Sequence, residues 1–182
     1  MNFFFVRQKR HLFFVFLSFL ILPWVRVASQ PGDVAQRVKA QAELMVSALI
    51  RNDWKTFGHY ANPGILKIIG GQAAMEQSMG KVVAHMKETG IAFSKMTVGE
   101  PSRVVKVGTE LECTLPLTTE MKTQKGTVVV KSTLVAVSLD GGTDWTFLDA
   151  VNKDVATVKL VWPQLSPEIV IPPTEKFMKN GN

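Results

Sequence analysis

The sequence predicts an α+β domain in which helices come first and hairpin-linked strands follow. Two observations predict it. Apolar residues recur every third or fourth position as far as about Gly90, and every second position after it. Turn-forming clusters at 124–126 and 140–142 then separate strand-length stretches, as short hairpin connections do. Elements in that order pack as helices on one face of an antiparallel sheet.

The first 29 of the 182 residues read as a cleavable secretory signal peptide. Arg7, Lys9 and Arg10 make a positive start, and residues 12–22 are apolar apart from Ser18. Pro23 ends that run, and Val27, Ala28 and Ser29 supply the small residues a signal peptidase reads, which places the cut before Gln30. The run is about half the roughly 20 residues of a membrane-spanning helix. No cysteine stands near the cut to carry a lipid. The expectation is therefore an exported protein, periplasmic or extracellular, with no stable membrane anchor after cleavage.

Cleavage also changes the charge. The chain has 21 Lys+Arg and 15 Asp+Glu, and the leader holds Arg7, Lys9, Arg10 and Arg26 with no acid. The mature chain is nearly neutral and has no basic block, so it lacks the electrostatic footprint of a nucleic-acid partner. Cys113 is the single cysteine, so no internal disulfide supports the exported domain. It alternates with Leu111, Leu115 and Leu117 and reads as a small core residue.

The elements follow in order. A helix is predicted over 34–51, with Asp33 as cap and Gln36 reaching back, and with Val34, Val38, Met45 and Leu49 as its apolar stripe. A short helix over 54–60 precedes Asn62 and Pro63, which start another turn over 65–69, and Gly70 and Gly71 stop it. The helix over 73–89 carries Met75, Met79, Val82, Val83 and Met86 on its buried face, and Gly90 is its left-handed stop. The methionines read as core, or as the wall of an adaptable pocket.

Strands are predicted over 93–98, 103–107, 109–121, 127–139 and 145–151. In the third, Leu111, Cys113, Leu115 and Leu117 face the core while Glu110 and Glu112 face water, and Pro116 marks an edge or bulge. Residues 155–161 read as a short helix or strand. Pro163, Pro167, Pro172 and Pro173 then argue against regular structure, although Leu165, Ile169, Val170 and Ile171 are too apolar for a free tail and must pack along the domain. The last residues, from Lys176, read as mobile. The organisation is thus a leader over 1–29, one domain over 30–151 and a proline-rich extension over 152–182.

This order resembles the nuclear transport factor 2-like superfamily, also called cystatin-cone or polyketide-cyclase-like. The segments that carry the resemblance are the N-terminal helix, the stretch NDWKTFGHYANPGILKIIGG (52–71) and the ending SLDGGTDWTFLD (138–149). In this respect it looks similar to small exported bacterial members of that superfamily with no assigned activity. The resemblance implies a strongly curved antiparallel sheet that wraps the helices into a cone-like roll, with a pocket between them. Some members are enzymes, some bind ligands, and others dimerise through the outer sheet face.

Candidate site residues follow from the aromatic and titratable groups. Trp54, His59 and Tyr60 lie on the short helices that would close the mouth of the cone, and histidine titrates near neutral pH. Trp145 and Asp149 lie on the last strand of the sheet. Ketosteroid isomerases of the superfamily use a tyrosine and two acids, but the one tyrosine here, Tyr60, is not in the first helix. His59 and His85 lack the spacing of a metal pair, so neither a metal nor a cofactor is implied. Ser138, Asp140, Gly142 and Trp145 fit the Asp-box pattern S-x-D-x-G-x-x-W, read as a single hairpin device. Three functions remain open. One is non-catalytic binding of a small apolar ligand or partner, with Trp54, His59, Tyr60, Trp145 and Asp149 as lining. The second is an isomerase- or hydratase-like enzyme using His59 or Tyr60 as acid–base group and Asp149 as charged partner. The third is a homodimer through the sheet face that includes the strand over 127–139.

Overall fold

The structure is a computed structural model that describes residues 31–179; the leader call over 1–29 lies outside the described residues. Among the described residues five helices, α1 (Pro31–Ile50), α2 (Trp54–His59), α3 (Pro63–Ile69), α4 (Gln72–Glu88) and α5 (Val155–Val161), accompany six strands. The strands are β1 (Ala92–Val98), β2 (Val105–Val107), β3 (Glu110–Thr123), β4 (Gly126–Ser138), β5 (Thr146–Asp149) and β6 (Glu175–Met178). Among the described residues, no helix is long and apolar enough to cross a membrane.

The architecture is α+β, as the change of periodicity predicts. β3 and β4 form one long antiparallel hairpin at the centre of the sheet. Two short strands share each outer side: β1 and β2 lie end to end along β3, and β6 and β5 along β4. The sheet is not strongly curled, in contrast to the cone-like roll that the resemblance implies.

Register fixes which side chains meet the helices. Cys113, Leu115 and Leu117 pair with Ala136, Leu134 and Ser132 and share one face. Against that face α1 packs Val34, Val38, Ala42, Met45 and Val46, with Trp145 and Phe147 closing the cluster. The apolar stripe of α1 is thus where its helical spacing places it. Its start differs: α1 begins at Pro31, so Asp33 sits within the first turn instead of capping it. An acid there still complements the helix dipole.

The segments joining α1 to α4 are set by local chemistry. Asp53 caps α2 by accepting from Thr56 N at 3.1 Å, and Asn62 caps α3 by accepting from Gly64 N at 2.8 Å. Pro63 takes the first position of α3, where its missing N–H is no loss. Gly70 ends α3 at φ 98°, a left-handed conformation that glycine adopts without strain. Asn62 N also donates to Phe147 O at 2.9 Å and Phe147 N to Tyr60 O at 2.7 Å, which ties the α2–α3 corner to β5.

Pro116 neither ends nor edges β3. It pairs with Thr133 on one side, and on the other its carbonyl accepts from Gly99 N at 2.8 Å, where β1 gives way to β2. A Cβ at Gly99 would stand 3.1 Å from the proline ring, so glycine lets the chain cross there.

The opposite sheet face carries a second core. Val105, Val135, Val137 and Leu148 are covered by Val158 of α5 and by Trp162, Leu165 and Ile169 after it. The extension packs along the domain, as its apolar residues require, and two expectations change with it. Glu112 does not face water: it is fully buried beneath the extension, because the face it shares with Val135 and Val137 is a second interior. The chain end does not trail away at Lys176: β6 pairs Val128–Lys131 of β4, with the Lys131–Glu175 and Lys179–Glu120 ion pairs beside it. The prolines stop before Thr174 and leave β6 free to donate its N–H groups.

Candidate functional site

The helix layer does not sit flush on the sheet. Only Met75 of α4 is buried; Met79, Val83 and Met86 are half-buried and Val82 is exposed, so the methionine face is only partly covered. Beneath it a cavity of about 230 Å³ opens between helices and sheet. Met45 and Leu49 of α1, Phe57 of α2, Ile65 and Ile69 of α3 and Met75 and Met79 of α4 form the helical wall. Met96 of β1, Leu117 of β3, Leu134 of β4 and Phe147 of β5 form its floor. An engineered apolar cavity of about 150 Å³ takes benzene, so this one has room for roughly ten non-hydrogen atoms.

Two charged side chains interrupt the apolar lining, Asp149 and Lys153. Asp149 pairs with Leu134 and so lies on the helix-side face of the sheet. It is exposed to solvent at the cavity's edge, although protein atoms crowd around its carboxyl. That desolvation raises its carboxyl above the ordinary aspartate value, against the opposing effects of the Ser132 hydroxyl, the Val151 N–H and the charge of Lys153. Val151 N donates to its Oδ1 at 3.0 Å. Lys153 lies beyond a turn at Asn152, which has φ 53°. Its Nζ donates to Val151 O at 3.2 Å and Asp149 O at 3.4 Å.

Of the five predicted lining residues, the structure places Asp149 on the cavity and the other four elsewhere. Trp54 lies beside α4, its Nε1 3.9 Å from the position a Cβ at Gly80 would take. His59 is exposed at the end of α2, with its ring edge-on to Tyr60 at 5.0 Å between centroids. Tyr60 packs against Phe147, centroids 6.4 Å apart, on the rim of the main core. Trp145 is buried to 1 % and its Nε1 donates to Gly142 O at 3.2 Å.

Trp145 belongs instead to the Asp-box hairpin. Ser138 Oγ donates to Asp140 Oδ1 at 2.8 Å and accepts from Gly142 N at 2.8 Å. Asp140 also accepts from Thr143 N at 3.1 Å and Asp144 N at 3.0 Å, and these bonds hold its carboxyl below the ordinary value despite partial desolvation. Helix α1 grips the same turn: Arg37 donates to Gly142 O, and Gln41 both donates to Thr143 O and accepts from Trp145 N, each at 2.8 Å. The hairpin is a structural clamp that ties α1 to the turn between β4 and β5.

The methionine stripe was the sequence signal for the cavity, since it admitted a pocket wall as well as core. Ile65 and Lys153 carried no such signal. Their roles arise from where the Asn62–Pro63 corner and the Asn152 turn direct the chain. No protein-family model matches the sequence, and a comparison with curated proteins finds no significant match.

Proposed function

We propose that this chain is an exported, non-catalytic binding protein that holds a small apolar molecule between its helices and its sheet. The observation that carries the reading is the cavity itself: about 230 Å³, walled by methionine, leucine, isoleucine and phenylalanine, under a helix whose inner face is only half covered. Protein interiors are otherwise packed to crystal-like density, so an apolar void of this size has a use for a ligand. Methionine walls adapt to ligand shape.

Export rests on the leader over 1–29, with its charged start, short apolar run and small residues before Gln30. Membership of the nuclear transport factor 2-like superfamily belongs to the same proposal. Its support is the element order and the position of the cavity between helices and an antiparallel sheet. The acid–base alternative has less support, because His59 and Tyr60 stand off the cavity that Asp149 lines. A sheet-face homodimer also has less, because the chain's own extension covers Val135 and Val137.

The test is methyl-labelled methionine NMR of the mature protein titrated with toluene. Saturable shifts at Met45, Met75, Met79 and Met96, with Met178 on β6 unmoved, are the expected result. Absence of any saturable shift at the four lining methionines would overturn the reading.

A further inference from the structure

We infer that β6 is a docking edge for a second copy of this chain, and that two copies join antiparallel across it with Phe177 opposite Phe177. None of the cavity's lining residues belongs to β6, so this edge is independent of the ligand reading.

The backbone supplies the edge. Among the described residues β6 pairs with β4 alone, so its outer side meets no strand. Register tells which groups lie unpaired there. Lys179 N, just past the strand, donates to Thr127 O at 2.8 Å, and Phe177 and Glu175 stand opposite Val129 and Lys131. Antiparallel strands turn alternate residues toward each other, so Glu175, Phe177 and Lys179 direct their N–H and C=O groups to β4. Lys176 and Met178 direct theirs outward. Every residue of β6 is exposed, and neither a proline nor a bulge blunts the strand.

The side chains choose the occupant. Set antiparallel to itself about Phe177, β6 places Lys176 opposite Met178 of the second copy, so the outward groups of each strand meet those of the other. The same register places Glu175 opposite Lys179 of the second copy, and Lys179 opposite its Glu175. Both charge pairs fall at positions that exchange no backbone bonds, where opposed side chains approach most closely. Such a contact is isologous, each copy offering what the other accepts. Glu175 and Lys179 keep more than half of their side chains exposed despite their ion pairs with Lys131 and Glu120, which leaves each free to bridge to a second charge. Phe177 is 44 % exposed and gains an aromatic neighbour at the axis. Moving the axis to Lys176 sets that lysine against itself, and like charges directly opposite are destabilising. Moving it to Met178 sets Phe177 against Lys179 and parts Glu175 from its opposite charge.

Sedimentation velocity of the mature protein across the micromolar range is expected to show a reversible monomer–dimer equilibrium, as suits a small interface. Glu175→Lys and Lys179→Glu each set like charges opposite in their own dimers, and each is expected to weaken association by about tenfold or more. An equimolar mixture of the two variants restores opposite charges at both positions and is expected to associate within about threefold of the unaltered protein. Mixing cannot repair the ion pairs with Lys131 or Glu120, so the recovery reports the contact between copies. Register is read by copper–phenanthroline oxidation of Phe177→Cys, whose Cα atoms would lie about 4.5 Å apart, within the span of a disulfide. It is expected to link into dimers faster than Lys176→Cys, whose residue meets Met178 instead of itself. A monomer throughout the range, single variants that associate like the unaltered protein, or a mixture no better than its parts would overturn the pairing. Linkage of Lys176→Cys as fast as of Phe177→Cys would overturn it too.

Discussion

Trp162 Nε1 donates to Glu112 Oε1 at 3.2 Å, joining the proline-rich extension to the middle of the sheet. Ser166 N donates to the other carboxylate oxygen at 2.8 Å. Both oxygens of a fully buried glutamate are thus served by donors from one segment. Burial raises the Glu112 carboxyl above its ordinary value near 4.5, and the Ser166 and Trp162 bonds oppose that rise. A raised folded-state pKa means the folded protein holds this proton to higher pH than the unfolded chain does. The contribution of Glu112 to stability is then fullest below 4.5 and is lost as pH rises through the raised folded value. Urea unfolding of the natural protein and of Glu112→Gln, measured from acid to neutral pH, checks the sign. The difference in stability is expected to grow as pH falls across that window. A difference that shrinks would refute the assignment. Trp162→Phe leaves Oε1 without its donor, and an expected loss of about 1–3 kcal/mol follows.

The extension is expected to be essential to the fold. Val158, Trp162, Leu165 and Ile169 are all buried against the second core. At about 1.5–3 kcal/mol for each large side chain, their burial is comparable with the total 5–15 kcal/mol stability of an ordinary domain. A chain ending at Asn152 should therefore fail to unfold cooperatively in a calorimeter. Ending it at Thr174 removes β6, whose residues are exposed, together with Lys179 and the residues after it, and uncovers the β4 edge at Val128–Lys131. That shorter truncation should melt as one transition and associate through the bared edge, which sedimentation velocity would detect.

The legible part of the fold was the part governed by periodicity and turn chemistry. The stripe of α1, the alternation in β3 and the glycine stops at Gly70 and Gly90 were readable because each is a local property. Glu112 was misread for a reason of the same kind. Alternation tells that Cys113 and Glu112 face opposite ways, but not that residues 50 positions later return to cover the second face. The cavity was half legible: the methionines of α4 showed an apolar face, while its incomplete covering depends on how α4 lies over the sheet. His59 and Tyr60 drew attention by chemistry, yet neither lines the cavity.

The Asp-box clamp should behave as one unit. Asp140→Ala removes the acceptor of Thr143 N and Asp144 N and the partner of Ser138 Oγ in one step. An expected loss of about 1–2 kcal/mol in urea unfolding follows, in the range of a lost helix cap. The lowered Asp140 carboxyl stabilises the fold above its ordinary value of 3.8 and loses that effect as pH falls through its lowered folded value. In Asp140→Asn that acid-side loss should be absent.

Cys113 should be inert in the native protein. It is fully buried between Leu115 and the α1 stripe, and burial pushes its thiol up to about 12. Thiolate is the reactive form, so iodoacetamide at pH 8 should label it only when the sheet opens. The labelling rate should rise with urea in step with global unfolding, because β3 is one of the two central strands of the sheet. Fast labelling without denaturant would show that β3 opens locally.

Filling the cavity should separate its use from its contribution to the fold. Met79 lines it from α4 and is half-buried, so Met79→Phe can place a ring in the void without displacing the sheet. Cavity-filling substitutions commonly add about 0.5–2 kcal/mol, and the melting temperature should rise by a few degrees for a domain of this size. Toluene affinity should fall at least tenfold in the same variant. The opposite change, Leu134→Ala, enlarges the cavity from its floor and is expected to cost about 2–5 kcal/mol. Toluene should recover part of that loss by binding the folded state. If Met79→Phe destabilised the protein while toluene bound as before, the ring would have found no void to occupy, and the space beneath α4 would be closed in solution.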